Sequence, residues 1–313
     1  MKSRSNQILL VLRIMGILLG SSFLIFQIFS SLRGFNWSIL SPSVFKSALL
    51  ALGLSIFATV LQMTAWKLIL EGIGHNISII DVFSGFSLSF VARYIPGTVW
   101  GYLARGEWLK RDHKVPYSLT NIGSIVETIG IVFANLLVVI QGLLLSRSFY
   151  LSLLFGIVFL IGSWAFLNLI ILWKPTRRLF RLENNNILKF PFLKWALVFI
   201  LFIGMWCCYG SGLLVFAKAI DFQVTITFFL GINSIYALAW FLGFIVPFLP
   251  SGLGLREYSL TILLIAQFGL VKSDASFIAI GFRVLVSIAE FLWILFGLTK
   301  KSLIRLDILL TRK

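Results

Sequence analysis

An α-helix needs about 20 consecutive apolar residues to cross the roughly 30 Å hydrocarbon core of a bilayer, and this chain meets that length repeatedly. Apolar runs lie at 8–30, 47–70, 118–144, 149–173, 195–217 and 275–298. Lipid offers no water to backbone N–H and C=O groups, so continuous runs of this kind form helices, whose hydrogen bonds close within the segment. Composition agrees: 59% of the 313 residues are hydrophobic and 12% charged, against about half and a quarter in soluble domains. Mean hydropathy is +1.00. The expected fold is an all-α integral membrane protein of six full transmembrane helices, a single polytopic membrane domain over 1–313. No stretch remains that would build a soluble catalytic domain.

The formal charge of +16 would suit nucleic acid if it covered a soluble face. Here the cations are confined to short connections and ends, so they report orientation and anionic headgroups, and no nucleic-acid partner is expected. Lys2 and Arg4, the 104–117 connection, the basic 174–194 connection and the 299–313 tail hold most of them. These are expected to be cytoplasmic, as are both termini, in the inner or plasma membrane. The first half is 1–173 and the second 195–298. The tail alternates apolar residues with Arg305 and Asp307, as an amphipathic interfacial helix does. Residues 1–30 begin like a signal peptide, but the run from Ile8 to Phe29 is too long for one, so it is read as the first span.

Two further apolar segments, 79–103 and 226–270, are broken. The first carries Tyr94-Ile95-Pro96-Gly97 and runs on to Arg105 and Glu107; the second carries Phe248-Leu249-Pro250-Ser251-Gly252, then Gly254, Arg256 and Glu257. Pro96, Gly97, Pro250, Gly252 and Gly254 let the chain turn where a regular helix would pass through. Charge counting places both ends of 79–103 inside and both ends of 226–270 outside, so each reads as a re-entrant region, the two facing each other from opposite leaflets. The motifs at 94–107 and 247–257 are each followed by a valine and a polar cluster, then by a span with a charge twelve residues beyond that valine, Glu127 and Arg283. Three spans separate the halves. This pattern predicts an inverted repeat, a common plan in transporters.

Charges beside apolar runs are costly unless paired or wet. A guanidinium is a fixed fork of donors suited to phosphate, and backbone N–H groups freed at a helix start add positive potential. Arg105 and Arg256, joined by Arg93, are therefore candidate lipid-phosphate ligands. The alternative is that Arg105 and Arg256 pair with the motif carboxylates Glu107 and Glu257, and that Arg93 is an interfacial anchor. Asn121, Ser124, Thr128 and Asn135 share one helix side with Glu127, and Arg283, Ser287 and Glu290 share another. These stripes predict a polar pathway through Asn121, Glu127, Arg283 and Glu290, or else ion pairs of Arg283 with Glu290 or Glu127 that fix packing. His75, His113, Cys207 and Cys208 show no metal-ligand spacing, so no metal and no cofactor is expected. No ATP-binding loop is present, so transport would be passive or ion-coupled.

The Tyr-Ile-Pro-Gly-Thr-Val-Trp-Gly segment at 94–101 with Arg105, the embedded Glu127, and Pro250-Ser251-Gly252-Leu253-Gly254-Leu255-Arg256-Glu257 closely resemble the flippase-like membrane region of bacterial lysylphosphatidylglycerol synthases. The resemblance implies a membrane region with re-entrant elements that moves a phosphate-bearing lipid between leaflets. It does not imply aminoacyl transfer, which belongs to a separate soluble domain of that family, so an enzyme is not expected. The leading expectation is a lipid flippase or scramblase-like transporter of a phosphatidylglycerol-type, aminoacylated or polyprenyl-phosphate-linked lipid. The alternatives are a membrane scaffold for a lipid or glycan synthase and a membrane-embedded transferase. Membrane lipids are the expected partners; a homodimer, through Gly16 and Gly20 or Gly97 and Gly101, and a synthase partner stay open.

Overall fold

The computed structural model describes residues 42–93, 100–143, 149–179, 189–218, 226–246 and 249–310. The expected first span at 8–30, the turn at Pro96 and Gly97, and residues 180–188 of the basic 174–194 connection lie outside the described residues. Ten α-helices make up the described chain: α1 Pro42–Gly72, α2 Ile79–Arg93, α3 Trp100–His113, α4 Tyr117–Leu143, α5 Phe149–Leu172, α6 Lys174–Leu179, α7 Phe192–Lys218, α8 Ile226–Ile245, α9 Leu255–Phe268 and α10 Lys272–Leu310. A single 3₁₀ turn, Pro250–Gly252, stands between α8 and α9. Among the described residues there is no strand. The protein is an all-α integral membrane protein.

Five of the helices are long and apolar enough to cross a membrane, and they coincide with the five described runs of the sequence: α1, α4, α5, α7 and the Lys272–Thr299 part of α10. Their ends follow local chemistry. Pro42 opens α1, where its missing N–H is not needed. Ser78 caps α2, its Oγ accepting from the Asp81 N–H at 3.2 Å. α9 starts from Gly254 at φ 85° and ends at Gly269, which is left-handed at φ 66°.

Polar side chains inside the bundle mostly bond within their own helix. Ser55, Thr59, Ser124, Thr128, Ser211 and Thr261 each donate to the carbonyl four residues earlier at 2.6–3.0 Å. This satisfies a hydroxyl where water is excluded. Others tie helices together. Asn135 of α4 donates to the Ala237 carbonyl of α8 at 2.9 Å, and the Trp206 indole of α7 donates to the Ile131 carbonyl of α4 at 3.3 Å.

The broken segments are two helix pairs. α2 and α3, with 15 and 14 residues, rise about 22 and 21 Å at 1.5 Å per residue, short of a full crossing. α8, at 20 residues, rises about 30 Å, which is more than the re-entrant reading of 226–270 requires. The tail also differs from expectation. Residues up to Leu310 continue α10 without interruption, giving one helix of 39 residues in place of a span followed by a separate interfacial helix.

Two apolar cores result. One gathers α1, α2, α4, α5 and α7 around Trp66, Phe86, Trp195 and Phe202; the other gathers α7, α8, α9 and α10 around Leu213, Ile235, Leu264 and Phe282. Tyr209 and Tyr236 pack against both. Where the cores meet, the bundle holds a polar cavity.

Candidate functional site

The cavity, of about 130 Å³, runs along the face of α4 that carries Glu127, Thr128, Ile131 and Val132, with Tyr102 of α3 on one side and Trp240 and Phe244 of α8 on the other. Four arginines line it, one from each helix of the two broken pairs except α8, and one from α10: Arg93, Arg105, Arg256 and Arg283. Glu127 and Glu290 line it as well.

Three of the four arginines are paired with carboxylates. Arg105 is 2% exposed and Glu127 1%; Arg105 Nη2 donates to Glu127 Oε2 in a buried ion pair, while the Gln62 amide reaches Glu127 Oε1 at 3.4 Å. The Arg105 guanidinium lies against the rings of Trp66, Phe86 and Tyr102 at 4.2, 4.5 and 5.0 Å, which explains how a cation is accommodated inside an apolar core. Its Nε and Nη1 are buried without a hydrogen-bond partner.

Arg283 Nε sits 3.2 Å from Glu257 Oε1, a carboxylate 1% exposed. Glu257 Oε2 accepts from the Gly254 N–H at 2.7 Å, so one side chain both holds the start of α9 and balances Arg283. Arg283 Nη2 also donates to Ser251 Oγ at 2.9 Å. Arg93 and Glu290 form the loosest pair, at 3.8 Å, with the Arg93 guanidinium 4.5 Å from the Phe90 ring.

Arg256 differs. Its Nε is buried and without a hydrogen-bond partner, and among the described residues it forms no ion pair. Its guanidinium lies 5.1 Å from the Trp240 ring. Its stem crosses Gly243 of α8: a Cβ there would strike Arg256 Cγ and stand 3.1 Å from Nε. Gly252, at φ 68°, approaches the same glycine, and a Cβ on it would lie 3.0 Å from Gly243 Cα and 3.1 Å from Arg256 Nε. The left-handed backbone through Ser251 (φ 52°) and Gly252 and the bare Gly243 together leave a lane for one long cationic side chain.

Several placements differ from those read off the sequence. The neighbouring carboxylates do not serve the motif arginines: Glu107 is exposed and bonds the Tyr117 hydroxyl at the start of α4, and Glu257 binds Arg283 instead of Arg256. Arg283 pairs with neither Glu290 nor Glu127. The two motifs send Arg105 and Arg256 into one cavity. Asn121 is half-buried and does not line the cavity; Asn135 serves the α4–α8 contact. Pro250, Gly252 and Gly254 do mark the second turn, with glycines at φ 68° and 85°. Gln62, Tyr102, Tyr209, Tyr236, Trp240 and Gly243 were not singled out by sequence, and Ser251 was named only as part of the second break. A polar or small residue within an apolar run was the available signal for Gln62, Gly243 and Ser251; the aromatic residues carried none. Among the described residues no group of His, Cys, Asp and Glu could hold a metal.

No curated protein matches the chain. A family model described as the lysylphosphatidylglycerol synthase TM region matches residues 8–293, a span that takes in both broken helix pairs, α4 and every charged residue of the cavity. The chain therefore belongs to the family of lysylphosphatidylglycerol synthase membrane regions, and its function concerns membrane lipid.

Proposed function

We propose that the protein is a lipid flippase or scramblase-like transporter that passes a phosphate-bearing headgroup through the cavity while the hydrocarbon chains stay in the bilayer. The observation that carries this reading is Arg256, a half-buried cation whose buried Nε has no hydrogen-bond partner and which forms no ion pair among the described residues. A cation drawn partly out of water without a partner is costly, and a bound phosphate would relieve that cost with charge-assisted hydrogen bonds. Cavity size supports the same reading. A water molecule needs about 10–15 Å³ of such space, so 130 Å³ takes a headgroup but not acyl chains.

Tyr102, Thr128, Val132, Trp240 and Phe244 are partly exposed while Glu127 and Ile131 behind them are buried. That gradient, from an aromatic and aliphatic rim to a charged floor, suits a lipid entering sideways with its headgroup inward. The orientation that goes with this function places both termini in the cytoplasm and the protein in the plasma or inner membrane.

Leaflet exchange of fluorescent phosphatidylglycerol in proteoliposomes tests the proposal. Wild type should accelerate exchange over protein-free vesicles, and Arg256→Gln should lower the rate by about tenfold or more, the scale of one lost charge-assisted contact. Equal exchange in wild type, variant and empty vesicles would overturn it.

A further inference from the structure

The charge balance of the cavity identifies the kind of headgroup it takes, a step that rests on the lipid-binding reading above. Arg93, Arg105, Arg256 and Arg283 face Glu127, Glu290 and, behind Arg283, Glu257, so among the described residues four cations meet three carboxylates. Residues 1–41, 94–99 and 247–248 contain no acidic side chain, so neither the N-terminal segment nor the turns themselves bring a fourth carboxylate to this site. We infer that the cavity is matched to a ligand with one net negative charge and no ammonium group: a phosphodiester headgroup whose remaining polar part is neutral.

A positive charge on the headgroup has few places to go. Glu127 is held by Arg105 and Gln62, and Glu257 by Arg283 and the Gly254 N–H. Two aromatic faces of the cavity, Tyr102 and Trp240, lie against Arg105 and Arg256. Glu290 lies 3.8 Å from Arg93, farther than Glu127 and Glu257 lie from their arginines. Neutral hydroxyls, by contrast, meet a lining of the same chemistry in Tyr102, Thr128, Tyr209, Tyr236 and Ser251. An aminoacylated headgroup would bring its ammonium groups into a site that already holds one excess positive charge, a like-charge encounter that disfavours binding.

Binding by detergent-purified protein, read by thermal shift, separates the possibilities without depending on transport. The probes are short-chain phosphatidylglycerol, its lysyl ester, phosphatidylcholine, phosphatidic acid and inorganic phosphate. Phosphatidylglycerol should bind about tenfold or more tighter than its lysyl ester. Arg256→Gln, which neutralises the excess charge, should bring phosphatidylglycerol level with phosphatidylcholine. Glu290→Gln, which adds one, should move the preference toward doubly charged phosphatidic acid; it carries the test alone if Arg256→Gln does not fold. The inference is overturned if the lysyl ester binds as well as phosphatidylglycerol, or if neither variant shifts the ranking. It is also overturned if inorganic phosphate stabilises the protein as strongly as the phospholipid. A charge preference in binding with no leaflet exchange sinks the transport reading and leaves this one standing; exchange without preference does the reverse.

Discussion

Arg105 and Arg256 look alike in the sequence, each an arginine just beyond a Pro-Gly break, yet they differ in what balances them. Arg105 is held by Glu127 from 22 positions away and flanked by three aromatic rings. Removing one member of such a buried pair leaves a charge uncompensated, so Glu127→Gln or Arg105→Met alone should lower unfolding stability by about 3–5 kcal/mol. The double variant Arg105→Met with Glu127→Leu should lose much less. Chemical unfolding in detergent checks this, and equal losses in the single and double variants would show that the pair is not the unit of stability. Leaflet exchange by the double variant then tells whether Arg105 also meets the lipid. Sequence could name these residues because a charge in an apolar run is conspicuous. It could not pair them, because helix rotation and the fold-back of α3 decide which carboxylate comes within reach.

At the scale of elements, α3 with α4 and α9 with α10 follow one scheme in which the helix after each break pairs with the long helix that follows it. In the first case the break helix supplies the arginine and the long helix the glutamate; in the second the signs are exchanged, Glu257 against Arg283. Both halves thus place an ion pair at the same junction, with the charges exchanged. Gly243 shows what periodicity and charge counting leave unread. It lies inside an ordinary apolar helix, and only the close passage of Arg256 gives it a role. Gly243→Ala should displace the Arg256 stem and reduce phosphatidylglycerol exchange several-fold, while overpacking costs about 1–3 kcal/mol of stability. Exchange at the wild-type rate in Gly243→Ala would mean that the lane does not position Arg256.

For the whole molecule, the long apolar helices were legible because hydrocarbon thickness fixes their length, and the five described spans fall where the runs predicted. The uninterrupted α10 was less legible: its polar and charged residues beyond Thr299 mark a boundary of environment, and helical hydrogen bonding continues across it to Leu310. On the proposed orientation, a single cysteine at Lys110, in a background with Cys207 and Cys208 replaced by serine, should resist an impermeant thiol reagent added outside intact cells. One at Lys218 should react. The opposite pattern would invert the topology and the sides from which each motif is approached. The glutamates of the cavity have a further consequence, for how long a lipid stays. Four bare arginines would grip a phosphate for long periods, but Glu127, Glu257 and Glu290 already occupy three of them, so departure leaves only Arg256 uncovered. Passage requires a site strong enough to admit its cargo and weak enough to release it; on the proposed function, the built-in carboxylates would shorten the residence time.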